Sequence, residues 1–405
     1  MRRILTFTSL YPSEARPRHG IFVETRLAAM QRIADVEACV VSPVPWFPFE
    51  HGRFGTYAKY ARTSRAEVRL GNRVFYPRYW TAPGVGMYVQ PLTMALGALA
   101  TLRKLVGTGV FDFDVIDAHY LYPDGVAAAI LARKLDKPLV ITARGSDVNL
   151  LARYAWPRRL LRWAASEAHA IVTVSEALSK RLIELGVDAS KITVARNGVD
   201  MERFAPVDQA AARQRLGLGT AGPIIASIGN LVTEKGHDVV IDAVRQLPTV
   251  RLIIVGDGPE RARLLDRVAT NGLSARVLLL TAQPQHELKW IYGAADVVVL
   301  ASMREGLPNV LLEAFACGRP VVATRVGGIP EIVTDPVAGR MIDERTPTAV
   351  ANAVKEVLAA PNGATATRAF ARRFEWPAAA RSSLDALERG IGAHARRPSE
   401  LNALS

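Results

Sequence analysis

Twice along its length this chain alternates short apolar runs with stretches of helical pattern, and that rhythm constrains its fold more than any other feature. In the first series ILTFTSL reads as a strand, followed by a helix from about Gly20; VEACVVSPV and FDVIDAHY read as strands, then a helix over 123–135. PLVITARG and AIVTVS are further strands, followed by a helix over 176–185 and the segment ITVARNGVD. After FAPVDQAAARQRLGL the series restarts with PIIASIG, a helix over 236–247, RLIIVGDGP, a helix from Glu260, then VLLLTA, ADVVVLAS and PVVATR. Runs of Val, Ile and Leu without polar alternation belong to strands buried on both faces, and helices between them make parallel crossovers. A chain of 405 residues is also too long for one ordinary core. The expected fold class is α/β: two doubly wound domains, 1–200 and 201–375, facing across a cleft, with ligands at the C-terminal ends of their strands. A last helix at 376–390 is a candidate to cross back to the first domain, and 391–405 reads as a disordered tail.

Charge is unevenly divided. Residues 1–200 hold 27 Lys and Arg against 17 Asp and Glu, and residues 201–405 hold 24 against 21. A basic first half favours acidic partners such as an anionic membrane surface or a phosphorylated acceptor. No dense basic run with interleaved aromatics is present, which argues against nucleic acid. Cys39 and Cys317 both sit in apolar runs, so buried free thiols in a reducing compartment are expected. Residues 79–102 carry no charge over 24 positions, but Pro83, Gly84, Gly86, Gln90 and Pro91 interrupt the first half. Only 92–102 reads as uninterrupted helix, buried or touching a membrane rather than spanning one, with Tyr79, Trp80 and Tyr88 suited to an interface.

The richest chemistry lies in EGLPNVLLEAFACGRPVVATRVGGIPE, residues 305–331. Pro308 suits a first helical position, and the helix should stop at Gly318. Its free N-terminal amides near Asn309, Val310 and Leu311 form a ready anion site. Glu305 stands just before the helix and Glu313 just over one turn inside it. A diphosphate flanked by ribose and sugar has the matching shape. Two glutamates near a helix start also serve merely to complement its dipole.

This block, with its Glu, seven residues, Glu pattern, resembles the retaining glycosyltransferases of family 4, also called glycosyl transferases group 1, which have the GT-B fold of two Rossmann-like domains. The resemblance covers most of the chain and is densest over 170–333. It implies that Glu305 contacts the donor sugar and Glu313 the ribose hydroxyls. Lys235, in a strand-to-helix loop, matches the family's diphosphate lysine. Gly229 matches too, but Asn230 stands where the family usually has Arg. Gly256 lies in the family's IVGDGP turn, which fails as a dinucleotide fingerprint because the sixth position is Arg261. Gly327 and Gly328 let backbone approach the donor. Asn197 and Gly198, in RNGVD, match an interdomain signature and read as a positive-φ turn.

Arg144 occupies a place where many family members have His. It stays protonated and is no base; it is expected to reach across the cleft and supply the cation that Asn230 lacks, unless it simply pairs with Asp147. On the acceptor side stand Arg16, Arg18, His19 and Gly20, in the first strand-to-helix loop, with His119 and Asp124 at a strand end. That loop suits a phosphate, so the acceptor is expected to be a glycan or a polyprenyl-diphosphate-linked sugar. No metal and no cofactor is expected, and the donor is of UDP or GDP type. The resemblance thus implies a retaining, metal-independent transfer of a hexosyl or N-acetylhexosaminyl group in cell-surface polysaccharide synthesis. The expected location is cytoplasmic, peripheral on the inner face of the membrane. A nucleotide-sugar epimerase or hydrolase and a non-catalytic binding protein remain open at this point.

Overall fold

The apolar runs become strands. A computed structural model describes residues 1–81, 86–219, 222–360 and 363–396, in two units: Met1–Arg196 together with the stretch from Pro377, and Asn197–Trp376. In the first unit the strands are β1 (Arg2–Phe7), β2 (Val36–Val41), β3 (Val44–Pro45), β4 (Ala66–Arg69), β5 (Asn72–Phe75), β6 (Arg78–Tyr79), β7 (Val115–His119), β8 (Leu139–Ala143), β9 (Ala170–Thr173) and β10 (Ile192–Val194). Eight of them form one sheet in the order β10-β9-β8-β7-β1-β2-β5-β4, and β3 pairs with β6. Ile4 of β1 stands opposite Ala38 on one side and Val115 on the other. The chain winds outward through β2 and β5 one way and through β7 to β10 the other. The switch point therefore falls between β1 and β7, where ligands of doubly wound sheets collect.

The second unit adds β11 (Ile224–Ile228), β12 (Arg251–Val255), β13 (Val277–Leu280), β14 (Val297–Leu300), β15 (Val321–Thr324) and β16 (Gly339–Ile342). Their order is β13-β12-β11-β14-β15-β16, all parallel, with the switch point between β11 and β14. Its core is built from Ile225, Val240, Val244, Ile254, Val299, Val322 and Val354. Both units are built on Rossmann-like parallel sheets, as expected.

Four local features differ from the sequence reading. β4 runs antiparallel to β5 as a hairpin at the sheet edge; its run AEVR leaves Val68 exposed, so it lacks the apolar continuity that marks the buried strands. The helix expected over 92–102 runs Gly86–Gly107 with Pro91 inside it. Pro91 has no N–H for the Met87 carbonyl, and the Tyr122 hydroxyl donates there instead. Tyr79, expected at an interface, is buried and its hydroxyl accepts from Gln90 at 2.9 Å. The final helix runs Trp376–Ala395, beyond residue 390 and into the expected tail. Its Ala386 and Leu387 are buried on the first unit, and His394 meets the His169 ring edge-on at 5.0 Å. Residues 397–405, also assigned to that tail, lie outside the described residues, as do Pro83 and Gly84. Among the described residues no helix is long and apolar enough to cross a membrane.

Candidate functional site

The residues singled out in the second unit gather at the C-terminal edge of its sheet. Glu305 lies in the loop between β14 and the helix Asn309–Ala316. Its Oε1 accepts from Lys235 Nζ at 2.6 Å and from Ser302 Oγ at 2.7 Å. Lys235 ends a short turn after β11, so residues 70 apart in sequence become an ion pair through adjacent strands. The Glu305 side chain is only 9% exposed. Gly327 makes this possible. Its φ is +54°, and a Cβ there would meet the Glu305 carbonyl oxygen at 2.0 Å. The structure therefore gives Gly327 a partner within the protein, while the Gly328 N–H donates to the Gly306 carbonyl at 2.9 Å.

Glu313 is buried, and its Oε2 accepts from the Tyr292 hydroxyl at 2.6 Å. Burial pushes its carboxyl up to about 7, against the opposing pull of Tyr292 and Arg203. The helix that carries it starts at Asn309, with Val310 and Leu311 in its first turn; Pro308 is the extended residue before it, one place earlier than expected. Asn197 Nδ2 donates to Asn309 Oδ1 at 2.8 Å and to the Leu307 carbonyl at 3.3 Å. The Asn197-Gly198 pair is thus not the positive-φ turn read from its sequence. Asn197 steadies the start of this helix, and Gly198 is small because a Cβ would strike Trp376 at 2.6 Å.

Gly229 and Gly256 end β11 and β12 side by side, so close that a Cβ on Gly256 would meet the Gly229 carbonyl oxygen at 1.9 Å. Asn230 is exposed and joins the network through its carbonyl, 3.3 Å from His237 Nε2. His237 escaped the sequence reading, although it follows Lys235 and Gly236 directly. Ser227 Oγ lies 2.9 Å from its Nδ1, and burial lowers its pKa to about 4, so it is a neutral strut.

In the first unit a different cluster surrounds the switch point. Arg144 follows β8; its Nη2 lies 2.8 Å from His119 Nδ1, and its guanidinium stands 4.8 Å over the Phe22 ring. Arg26 Nη1 also approaches His119 Nδ1 at 3.2 Å, and donates to Thr142 Oγ1 at 2.8 Å. Arg26 Nε donates to Ser383 Oγ of the final helix at 2.9 Å. Guanidiniums only donate, so His119 Nδ1 accepts and Nε2–H donates to Asp117 Oδ2 at 3.1 Å. Burial lowers the His119 pKa to about 4, leaving a neutral imidazole. Burial works to raise Asp117, but His119, Arg26 and Arg144 outweigh it and hold that carboxyl at about 2. Arg26 and Asp117 were missed by sequence reading, because an Arg inside an amphipathic helix and an Asp inside a strand carry no local signal.

Asp147 accepts from the backbone N–H groups of Leu121, Arg144 and Gly145, at 2.7, 3.2 and 2.7 Å. Asp124 accepts from Ser9 N at 2.9 Å and Ser9 Oγ at 3.0 Å, and burial raises it to about 7. His19 Nε2 lies 3.0 Å from the Ser9 carbonyl, and burial, with Arg16 beside it, lowers its pKa to about 4. His19 is therefore neutral and tied to backbone. Gly20, at φ +67°, begins the helix Ile21–Ile33, and Arg18 is exposed. Among the described residues no group of three or more His, Cys, Asp or Glu is placed to hold a metal ion.

Both units have relatives among known proteins. Residues 208–374 match the profile described as Glycosyl transferases group 1, and residues 27–203 match Glycosyltransferase Family 4. The chain is 31% identical over 337 residues to a putative teichuronic acid biosynthesis glycosyltransferase, TuaC, of Bacillus subtilis, covering 82% of each chain. It is 31% identical to a D-inositol 3-phosphate glycosyltransferase of Mycobacterium leprae, covering 78% of this chain and 81% of that one. Among solved structures, sucrose-phosphate synthase from Thermosynechococcus elongatus superposes with a TM-score of 0.78 at 20% identity, over 97% of this chain and all of that one. Anabaena Alr3699/HepE in complex with UDP gives 0.71 at 22% identity, over 96% of this chain and 100% of that one.

Proposed function

The chain belongs to the group 1 glycosyltransferases of family 4, and from that premise we propose that it transfers a hexosyl or N-acetylhexosaminyl group, with retained configuration, from a nucleoside-diphosphate sugar to a glycan or lipid-linked acceptor. The observation that carries the donor assignment is the pairing of Lys235 with Glu305 at 2.6 Å, on the same sheet edge as the buried Glu313. Lys235 has three N–H donors and spends one on Glu305, leaving others for a diphosphate. Glu305 orients the sugar. Glu313, its Oε2 held by Tyr292, receives the ribose hydroxyls, and the N–H groups of Asn309 and Val310 face phosphate, whereas the Leu311 N–H, expected to be free, already donates to the Pro308 carbonyl at 3.2 Å. No enzymic base is required: the departing phosphate takes the acceptor proton while Lys235 stabilises the developing charge, without a metal. Arg144 is a second cation for the substrate, on the first unit, and neutral His119 orients it.

A UDP-type donor is the first to test, since the Anabaena structures are complexes with UDP and with UDP-glucose. Calorimetry against a panel of nucleoside-diphosphate sugars, with Glu313→Ala alongside, tests the donor. Tight binding of one donor, lost in the variant, is expected. Undiminished binding by the variant rejects the ribose assignment. NMR of the product anomer tests retention. A membrane-linked acceptor at the cytoplasmic face accords with Trp46, Phe49, Tyr57, Trp80, Tyr88, Leu92 and Leu96, all exposed on the basic first unit.

A further inference from the structure

We propose that Arg16 and Arg78 form a binding site for a phosphate-type anion within the first unit. Both arginines bracket one short helix, Thr56–Arg62. The Arg16 guanidinium stands 5.0 Å over the Tyr60 ring, and Arg78 Nη2 donates to the carbonyls of Ala61, at 3.4 Å, and Thr63. What remains is unusual. Nε and Nη2 of Arg16 and Nη1 of Arg78 are buried without a hydrogen-bond partner among the described residues. Neither side chain has a carboxylate within ion-pair distance among those residues, and residues 82–85, which lie outside them, are Ala, Pro, Gly and Val.

Burial lowers the pKa of both groups, and at Arg78 the charges of Arg65 and Arg16 lower it further. The tyrosines around them offer ring faces rather than charge, and the Tyr76 hydroxyl is already donated to the Pro12 carbonyl at 2.6 Å. Glu67 is engaged by Arg69, the Glu14 N–H and Tyr76. Two half-buried guanidiniums without a counter-ion destabilise the fold, a cost that a bound anion removes. Three unpaired nitrogens on two planar donors suit the several oxygens of a phosphate or diphosphate better than one carboxylate.

Position supports the same reading. Arg16 follows β1, and Arg78 follows β5; β1, β2 and β5 are mutually parallel, so both arginines lie on the C-terminal edge of the sheet. They stand on the β2 and β5 side of the switch point, away from the Arg144 and His119 cluster on the β7 and β8 side. That the anion is the phosphate of the acceptor rests on the transferase reading above; the site itself stands on the two unpaired arginines.

The test is inorganic pyrophosphate binding by the full chain, measured by calorimetry and by thermal shift, for the wild type, Arg16→Met, Arg16→Lys, Arg78→Met and Lys235→Ala. Expected are at least tenfold weaker binding in both Met variants, a partial loss in Arg16→Lys, and retained binding in Lys235→Ala. Without pyrophosphate, Arg16→Met should melt higher than the wild type, since it removes an unpaired buried charge; a purely structural arginine would give the opposite. Equal affinity in the wild type and the folded Met variants overturns the proposal, as does no binding by the wild type. Binding lost only in Lys235→Ala also overturns it, by placing the anion on the second unit, while the donor reading stands. If Arg16→Met does not fold, Arg16→Lys and Arg78→Met carry the same comparison. Sedimentation with phosphatidylcholine vesicles, with and without phosphatidylglycerol, separates the sources. Binding to the anionic vesicles that falls in step with pyrophosphate assigns a lipid phosphate, and unchanged vesicle binding assigns a soluble phosphorylated acceptor.

Discussion

The two units handle buried charge in opposite ways. In the second, each functional carboxylate has a donor within the protein: Glu305 has Lys235 and Ser302, and Glu313 has Tyr292. In the first, Arg26, Arg144 and His119 converge around the carboxylate of Asp117, and among the described residues Arg16 and Arg78 have no carboxylate within ion-pair distance. A network closed on itself holds its shape before a ligand arrives. A surplus of buried cation is complete only with an anion bound. The first arrangement suits the proposed donor site, and the second suits the proposed anion site.

Substitutions can break this contrast, the largest effect first. Asp117→Asn removes the carboxylate that His119 donates to and that draws on both Arg26 and Arg144, and should destabilise the first unit by about 3–5 kcal/mol, read as denaturant unfolding. The same linkage gives a pH test. The Asp117 carboxyl sits at about 2, below its ordinary value of 3.8, so its contribution is present above pH 4 and is lost as pH falls towards 2. Wild type should lose stability across that window, and the variant should lose less.

Lys235→Ala leaves Glu305 nearly buried and without its cation. Turnover should fall by roughly 10²–10³, with the unit still folded by circular dichroism. If turnover were unchanged, Lys235 would be only a strut for Glu305. Glu313→Ala should weaken donor binding by about 2–3 kcal/mol through the lost hydrogen bonds to a charged group, and leave the pyrophosphate response of the first unit intact.

The smallest effect is the pH dependence of donor binding. Burial raises Glu313 to about 7, so it is protonated below that pH and accepts two ribose hydroxyls well only above it. Donor affinity measured by calorimetry should rise by about tenfold, or 1.4 kcal/mol, between pH 6 and 8, and Glu313→Gln should flatten the curve. His119 and His237, each lowered to about 4, should show no titration by NMR over the same range.

The division of labour between sequence and structure follows the same boundary. The second unit's residues were legible because they cluster: Glu305, Asn309 and Glu313 lie in one loop and helix, and Lys235 and Gly256 follow apolar strands that announce themselves. Even there, local reading misled at Asn197-Gly198. The pair looks like a turn, and its real work lies against Asn309 and Trp376, more than a hundred residues away in sequence. The first unit was less legible because its charges come from scattered places. Arg26 sits on a helix, Asp117 within a strand, Arg78 beside a hairpin and Ser383 on the last helix.

The sequence by itself determined the two parallel sheets, their approximate division and the identity of the second unit's charged groups. Those depend on local periodicity and on residues close together along the chain. Only the tertiary structure decided which charges are neutralised, which histidines are neutral and which arginines remain unpaired. A charge's state is set by everything packed around it, and in a doubly wound sheet those neighbours arrive from strands and helices that the crossovers keep far apart in sequence.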